Sequence, residues 1–177
     1  MQRTVSTKDS VEIPAEGTYR IDPGRSTISF GTRHVFGLLP AHGTFALREG
    51  FIRVADPVTE SSAWAKIPAK SFDTGNPARD RTVRSGQYLD ADRHPDITFT
   101  STRLARTGEG WFLHGSLTVR GNSNELELRV ESARTADSRL KLRATCRVDR
   151  YAFGVTKMKG MTGRYLTFRL DLTADRA

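Results

Sequence analysis

The residues able to do chemistry are few, and their spacing argues against a catalytic or metal centre. The four histidines, His34, His42, His94 and His114, form no His-x-x-x-His pair, and no pair of cysteines accompanies them. The sequence also lacks a Gly-x-Ser-x-Gly elbow, a P-loop and a dinucleotide-binding fingerprint. We therefore predict no catalytic residue, no metal and no cofactor.

Three further residues need to be considered for a functional role. Cys146 is the single cysteine, which excludes an internal disulfide, and it alternates with apolar residues, which predicts a small buried side chain. Arg79 and Asp80 are adjacent near the start of a predicted helix. Arg79 could contact an anionic head group. For Asp80 we favour an ion pair or hydrogen bond that anchors the helix.

The segment from Arg79 to Leu104 contains the clearest local structure. Asn76 is a favourable N-cap, and Pro77 suits the first helical position, where its missing N–H is not needed. The pattern predicts a short helix that ends over residues 90–94, because the residue before Pro95 is pushed out of helical geometry. A half-buried strand then follows up to Leu104.

The rest of the chain consists mainly of short runs in which apolar and polar residues alternate, as in half-buried strands. The predicted strands cover residues 18–32 with a turn at 22–24, and 43–47, 51–54, 62–72, 111–119, 126–130, 139–149 and 165–172. Residues 121–124 are predicted as a hairpin turn, and residues 33–39 as a helical turn or a lid.

One predicted strand carries unusually small side chains. Ala63, Ala65 and Ala69 share a face with Ile67 in the run 62–72. Because alanine side chains do not fill space, this face predicts open room beside the strand.

Strands at hairpin spacing with one short helix favour an all-β antiparallel sandwich or barrel. A barrel of about eight strands can fill itself with side chains or hold one small ligand. Residues 1–17 are polar and lack periodicity, so we predict a partly flexible arm there and a single domain over 18–175. No apolar run has the length of a signal peptide or a membrane span, which predicts a cytoplasmic protein.

Positive charge is concentrated late in the chain. Residues 139–169 hold nine basic residues and one acidic residue, a net charge of +8 that equals the whole excess. Such a segment could meet a diphosphate, an acidic membrane surface or nucleic acid. The basic residues that alternate with apolar ones are predicted to form a solvated outer face.

The long connection over residues 150–164 differs from the strands around it. Its cations Lys157, Lys159 and Arg164 are interleaved with Met158 and Met161, a mixture that suits a mobile mouth touching lipid. We expect this connection to gate entry to the interior, so that neutralising its cations weakens the uptake of a diphosphate lipid.

A family resemblance extends over nearly the whole predicted domain. The matching segments, in order, are residues 19–35, 42–50, 69–90, 94–104, 114–121 and 150–154. The most specific run combines Asp73-Thr74, Arg79-Asp80, Tyr88-Leu89-Asp90 and Pro95-Asp96-Ile97-Thr98-Phe99. These segments resemble the YceI-like family of lipocalin-like barrels that bind polyisoprenoids. The resemblance implies an eight-stranded antiparallel barrel with one or two short helices and a long apolar tunnel. It also implies a bound isoprenoid chain, such as a polyprenyl diphosphate or a quinone tail.

With this resemblance, the inward apolar residues and a few polar ones become candidates for ligand binding. The predicted ligand-binding residues are Phe30, His34, Phe36, Phe45, Ile67, Arg79, Tyr88, Phe99, Leu117, Val148, Phe153, Met158, Met161 and Phe168.

The first hypothesis for function is a non-enzymatic carrier or buffer that sequesters an isoprenoid lipid. The alternatives are a small enzyme acting on an apolar substrate in the same cavity, with His34 or Asp80 as acid or base, and an electrostatic binder of nucleic acid. The first hypothesis predicts an isoprenoid lipid and a transient membrane surface as partners, no nucleic acid, and leaves a homodimer open.

Overall fold

The computed structural model describes residues 11–34, 39–159 and 163–177, which form an antiparallel β-barrel with one α-helix, α1 (Pro77–Arg84). The strands are β1 (Gly17–Ile21), β2 (Thr27–His34), β3 (Leu39–Phe45), β4 (Glu49–Val54), β5 (Ser62–Pro68), β6 (Asp96–Thr107), β7 (Gly110–Val119), β8 (Asn122–Ala136), β9 (Arg139–Asp149) and β10 (Tyr165–Arg176).

Hydrogen bonding between the first and last strands closes the sheet. The strand order is β1-β4-β5-β6-β7-β8-β9-β10-β2-β3, and β1 also pairs with β10, so β1 and β4–β10 make a ring of eight strands. Both β1 and β2 pair with β10, with Ile21 opposite Ala174 and Thr27 opposite Asp171. They therefore behave as one strand interrupted by the 3₁₀ turn Pro23–Arg25. The predicted eight-stranded barrel is confirmed, and its closure removes the exposed edges of the ring.

The start of α1 follows the prediction, but its end does not. Asn76 accepts a hydrogen bond from the backbone N–H of Arg79, and Pro77 occupies the first turn. The helix ends at Arg84, because Ser85 is extended and its N–H returns to the carbonyl of Thr82. Residues 85–89 therefore form a bend and turns where the helix was predicted to continue, and turns follow over residues 90–94, where it was predicted to end.

The predicted β7–β8 hairpin is present, but the predicted position of its turn and the predicted end of β5 were wrong. β5 ends at Pro68, whose missing N–H cannot continue a ladder, and the 3₁₀ turn Ala69–Ser71 follows it. The β7–β8 turn consists of Arg120 and Gly121, with φ of 52° and 73°, whereas residues 121–124 were predicted. Positive φ at both positions is the geometry of a tight two-residue hairpin.

The predicted helical turn or lid at 33–39 is partly replaced by strand. Arg33 and His34 belong to β2, and Leu39 begins β3, whereas residues 35–38 lie outside the described residues. In the predicted arm, Val11 forms a bridge with Ala133 in β8. Residues 1–10 lie outside the described part of the chain.

Two clusters of buried side chains occupy the two ends of the barrel. The upper cluster, beside α1, includes Phe30, Phe72, Leu89, Phe99 and Phe153. The lower cluster includes Tyr19, Ile21, Val54, Leu140 and Ala174. Phe45 and Phe168 are half-buried and pack against both clusters. In the described part of the chain, no helix has the length and apolar character needed to cross a bilayer.

Candidate functional site

The inward side chains enclose a cavity of about 650 Å³ within the barrel. This volume falls in the range of roughly 300–1,000 Å³ that is usual for small-molecule sites. The walls are mainly apolar side chains from strands all around the ring. The interior is therefore not a fully packed core.

The cavity runs from α1 down to the lower cluster. Leu166, Phe168, Leu170 and Leu172 line it at alternate positions of β10, a stretch of roughly 20 Å at the usual strand rise. Two positions beyond Leu172, Ala174 lies opposite Leu140 and each is 1% exposed. These two residues pack within the lower cluster, beyond the part of β10 that lines the cavity.

Four phenylalanines fix one wall of the cavity. Ring centroids of Phe30 and Phe72 are 5.4 Å apart, and those of Phe45 and Phe168 are 6.1 Å apart. Phe30 also packs on Phe45 and Phe168 at 5.7 and 5.5 Å. Gly43 makes room for this group, because a Cβ at that position would lie 2.5 Å from the Phe30 ring. Mutually packed rings form a wall that does not need to rearrange when a ligand enters.

Most of the residues predicted to bind ligand line this cavity. The lining residues among them are Phe30, Phe45, Ile67, Arg79, Tyr88, Phe99, Leu117, Val148, Phe153, Met158 and Phe168. His34 lies in β2, but its side chain, like Phe36 and Met161, is outside the part that the structure describes. A direct contact of any of these residues with a ligand stays a prediction.

The alanine face of β5 contributes one of its alanines and Ile67 to the cavity. Ala65 and Ile67 border the cavity, in agreement with the predicted open room. Ala69, by contrast, is 1% exposed and packs within the upper cluster, because it lies in the 3₁₀ turn after Pro68. Ala63 does not belong to the described lining.

The open end of the cavity lies at α1 and the loop before it. Asn76, Ala78 and Thr82 line the cavity and are themselves exposed to solvent. Thr74 and Arg79 complete this side, and Met158 contributes from the connection between β9 and β10. Polar groups therefore concentrate at the mouth, whereas the deeper walls are apolar.

Asp80 anchors the mouth. It is 4% exposed and accepts hydrogen bonds from the backbone N–H of Thr74, at 3.1 Å, and from the Thr74 hydroxyl. Burial by itself would raise the pKa of Asp80. The Thr74 hydrogen bonds and the positive charges of Arg84 and Arg79 outweigh burial and bring this pKa below its ordinary value. The anchoring role favoured from the sequence agrees with this geometry.

The Thr74–Asp80 contact also orients Arg79. The Arg79 Nε donates to the Thr74 hydroxyl at 3.0 Å, and the guanidinium is half-buried at the cavity wall. Its two terminal nitrogens have no protein partner within residues 11–34, 39–159 and 163–177. A guanidinium held in this way can donate hydrogen bonds to phosphate or carbonyl oxygens of a head group.

Sequence reasoning missed two lining residues on β9 and its extension. Cys146 and Arg150 share the alternating inward positions with Val148, so the same pattern could have identified them. Burial raises the pKa of the Cys146 thiol to about 12, which keeps it protonated at neutral pH. Cys146 is thus an apolar wall residue with no activated thiolate.

Arg150 is a buried cation, 7% exposed, and it holds the connection after β9. Its Nε donates to the carbonyl of Gly163 and its Nη1 to that of Val155, each at 2.7 Å. Burial lowers the pKa of Arg150, and the nearby Tyr151, Tyr88 and Asp149 offset part of this effect. Arg150 therefore adds positive charge to the upper part of the cavity.

Arg164, one of the three cations of the connection expected to gate entry, is paired with an acid of the barrel; the gating role stays a prediction. Arg164 forms a bidentate ion pair with Asp149, with Nε–Oδ1 at 3.0 Å and Nη2–Oδ2 at 2.9 Å. The hydrogen bond from Arg164 is the main reason that the pKa of Asp149 lies below its ordinary value. The ion pair joins the end of β9 to the start of β10.

The outer face of β9 is solvated, as predicted, and partly paired. Arg139 and Arg143 each donate to a carboxylate of β10, Asp175 and Asp171, at 2.8 Å. Within the described residues, no group of three His, Cys, Asp or Glu side chains could hold a metal ion.

A closed antiparallel barrel of eight strands with an apolar cavity is an architecture that can hold one small ligand. The chain belongs to the YceI-like domain family, whose model matches residues 19–174.

Relatives by sequence cover part of the chain. A UPF0312 protein of Photorhabdus laumondii is 32% identical over 116 residues, which are 64% of this chain and 60% of the relative. A UPF0312 protein of Pectobacterium carotovorum is 37% identical over 62 residues, 35% of this chain and 32% of the relative. The chain thus matches less than two thirds of the length of these relatives.

Solved structures share the fold at low identity. The crystal structure of BcnA from Burkholderia cenocepacia has a TM-score of 0.75 at 20% identity, covering 86% of this chain and 98% of that one. A polyisoprenoid binding domain from Saccharophagus degradans, implicated in plant cell wall breakdown, has a TM-score of 0.68 at 14% identity. That match covers 92% of this chain and 100% of the domain.

Proposed function

We propose that this protein binds an isoprenoid lipid in the barrel cavity and carries or sequesters it without chemical conversion. The observation that carries the proposal is the cavity of about 650 Å³ with apolar walls and polar groups at its mouth. This arrangement suits an amphiphile whose hydrocarbon tail enters first. The description of the Saccharophagus degradans domain as polyisoprenoid binding supports the choice of tail.

The cavity volume sets the length of tail that can be enclosed. At about 30 Å³ for each water-sized group, 650 Å³ holds roughly 20 carbon groups, or about four isoprene units. Burying them gains about 0.8 kcal/mol each, roughly 16 kcal/mol in all. Association costs of about 4–15 kcal/mol are subtracted from this gain. A tail of this length therefore suffices for binding, and a longer tail extends through the mouth.

Arg79 favours a head group with negative charge or acceptor oxygens. A polyprenyl diphosphate offers a charge-assisted bond to the guanidinium, and an isoprenoid quinone offers a weaker carbonyl acceptor. Replacing Arg79 with glutamine should weaken binding of geranylgeranyl diphosphate and leave that of geranylgeraniol nearly unchanged. Arg81→Gln is the matched control, since Arg81 is exposed on the same helix and outside the cavity lining. Equal losses for both lipids would contradict a head-group role.

Mass spectrometry of an organic extract from the purified protein tests the proposal. A polyprenyl species in stoichiometric amount is the expected result. An extract without isoprenoid, together with no saturable binding of geranylgeraniol, would overturn it.

The enzymatic alternative gains no support at Asp80. The Asp80 oxygens are occupied by Thr74, and Asp80 is not part of the described cavity lining. Turnover of an apolar substrate that is lost in His34→Ala would favour the enzyme instead. A cytoplasmic location and a homodimer stay predictions from the sequence.

A further inference from the structure

A cationic and aromatic surface flanks the mouth of the cavity. We call it the rim surface, and it consists of Arg147, Tyr151, Lys157, Met158, Lys159, Arg164 and Tyr165. Arg147 and Tyr165 belong to the paired ends of β9 and β10, and the other residues belong to the connection between these strands.

Apolar side chains on this surface face solvent. Met158 is 49% exposed and Tyr165 is 41% exposed, so they are two of the three large apolar side chains most exposed in the described part. Met158 also lines the cavity. The rim surface is thus continuous with the apolar interior.

Three of the four cations of the rim surface lie over its tyrosines. The Arg147 guanidinium lies 3.8 Å from the centroid of the Tyr165 ring, and the Lys159 ammonium lies 4.9 Å from that of Tyr151. Arg164 lies 4.8 Å from the Tyr151 centroid and 5.1 Å from that of Tyr165. These contacts hold positive charges beside aromatic rings at the protein surface.

The rim surface keeps its positive charge after its internal pairing. It has four cations, and the adjoining acid, Asp149, is paired with Arg164, which leaves a net charge of +3. Lys157 and Lys159 are both exposed. A surface of this sign is complementary to an anionic partner.

We propose that the rim surface docks the mouth of the barrel on an anionic lipid bilayer. Tyrosine beside lysine and arginine is the composition found at membrane–water interfaces, and anionic lipids attract such cations. Met158 would contact the acyl region while the lysines contact head groups. This inference rests on the proposed function, because docking at the mouth lets an isoprenoid tail pass between bilayer and cavity without crossing water.

Vesicle co-sedimentation tests the inference with the whole chain. The vesicles are phosphatidylcholine alone or an equal mixture with phosphatidylglycerol. The test variant is Lys157→Gln/Lys159→Gln, and the control is Arg139→Gln/Lys141→Gln, which removes the same charge from the outer face of β9. Arg139 lies roughly 26 Å along β9 from Arg147 at the usual strand rise.

The wild type and the control should bind the anionic vesicles and not the neutral ones. The test variant should bind roughly 30-fold more weakly, given the attraction of each of its two lysines to an anionic surface. Raising the salt from about 0.1 M to 1 M should release the wild type, since the Debye length falls from about 10 to 3 Å. Met158→Ser should also weaken binding, and Met158→Leu should restore it.

Equal losses in the test variant and the control would overturn the inference, and so would a preference for duplex DNA over anionic vesicles. Binding of geranylgeraniol in solution, measured in parallel, separates the two proposals. Wild-type protein that binds geranylgeraniol but not anionic vesicles refutes docking and leaves the proposed function standing. Vesicle binding that requires the two lysines, without geranylgeraniol binding, supports docking and refutes the proposed function.

Discussion

Filling the cavity from its wall should strongly weaken ligand binding while the barrel stays folded. Ala65 is half-buried on β5 opposite Phe99, and its methyl group borders the cavity. In Ala65→Phe, the ring carbons at about 30 Å³ each would occupy roughly 180 Å³. That is more than a quarter of the 650 Å³ available to a ligand.

The loss of affinity follows from the displaced tail. About six carbon groups of the ligand would lose their place, at about 0.8 kcal/mol each, or roughly 5 kcal/mol in all. Because a factor of ten corresponds to about 1.4 kcal/mol, and the tail can partly shift, we expect Kd to rise at least about 100-fold. Overpacking would change the free energy of unfolding by no more than about 1–3 kcal/mol.

Isothermal titration with geranylgeraniol measures Kd for the wild type, Ala65→Phe and Lys66→Phe. Lys66 is the next residue of β5 and is not among the described lining residues. Lys66→Phe therefore shows the effect of adding a phenyl ring to the same strand without filling the cavity. Thermal unfolding shows whether each variant is folded. A folded Ala65→Phe with the affinity of the wild type would refute the assignment of the interior as the ligand site.

Three further predictions test the surroundings of the cavity. The rate of Cys146 alkylation by iodoacetamide should still rise above pH 9.0, because burial raises the pKa of this thiol from 9.0 to about 12. Bound geranylgeraniol should slow the alkylation. A rate that levels off at the ordinary pKa would contradict the burial of this thiol. The lowered pKa of Asp80 means that its stabilisation is complete above the unfolded pKa of about 3.9 and is lost as pH falls through the folded value. Asp80→Asn should therefore lower the free energy of unfolding by about 1–3 kcal/mol at pH 7 and by less in acid, as measured in urea. Asp92→Asn, on a side chain 90% exposed, should change it little, and equal effects would contradict the anchor. Gly43→Ala should destabilise by about 1–3 kcal/mol, because its Cβ would lie 2.5 Å from a phenylalanine ring, whereas Gly108→Ala has open space and should not.

Local chemistry made part of the fold predictable. The N-cap Asn76 and Pro77 fixed the start of α1, and β9 has the predicted bounds Arg139–Asp149. These features depend on side chains a few residues apart, or on strict alternation along one strand. Such features can be predicted without knowing which distant residues pack against them.

The sequence was least informative where distant residues decide the outcome. The sequence indicated only that Arg164 lies in a long connection, and the structure pairs it with Asp149, 15 residues earlier, across the β9–β10 ends. The family resemblance identified the barrel, but no local signal foretold this pairing.

Alternation shows which side chains point inward, but it does not show whether the interior is filled. Ala65 and Ala69 share one predicted face, yet Ala65 borders the cavity and Ala69 is 1% exposed in a packed cluster. Pro68 lies between them and ends β5, so the alternation stops there. The volume of a cavity depends on the register of all strands around the ring, which a single sequence pattern does not contain.

The central claim is that the apolar interior is an accessible site for a hydrocarbon tail. The most direct measurement is anomalous diffraction from a crystal grown with geranylgeraniol carrying bromine at the end of its tail. A bromine peak inside the barrel, below the level where Cys146 faces Phe168, is the predicted result. A fully occupied ligand found only on the outer surface, with the interior closed by side chains, would contradict it.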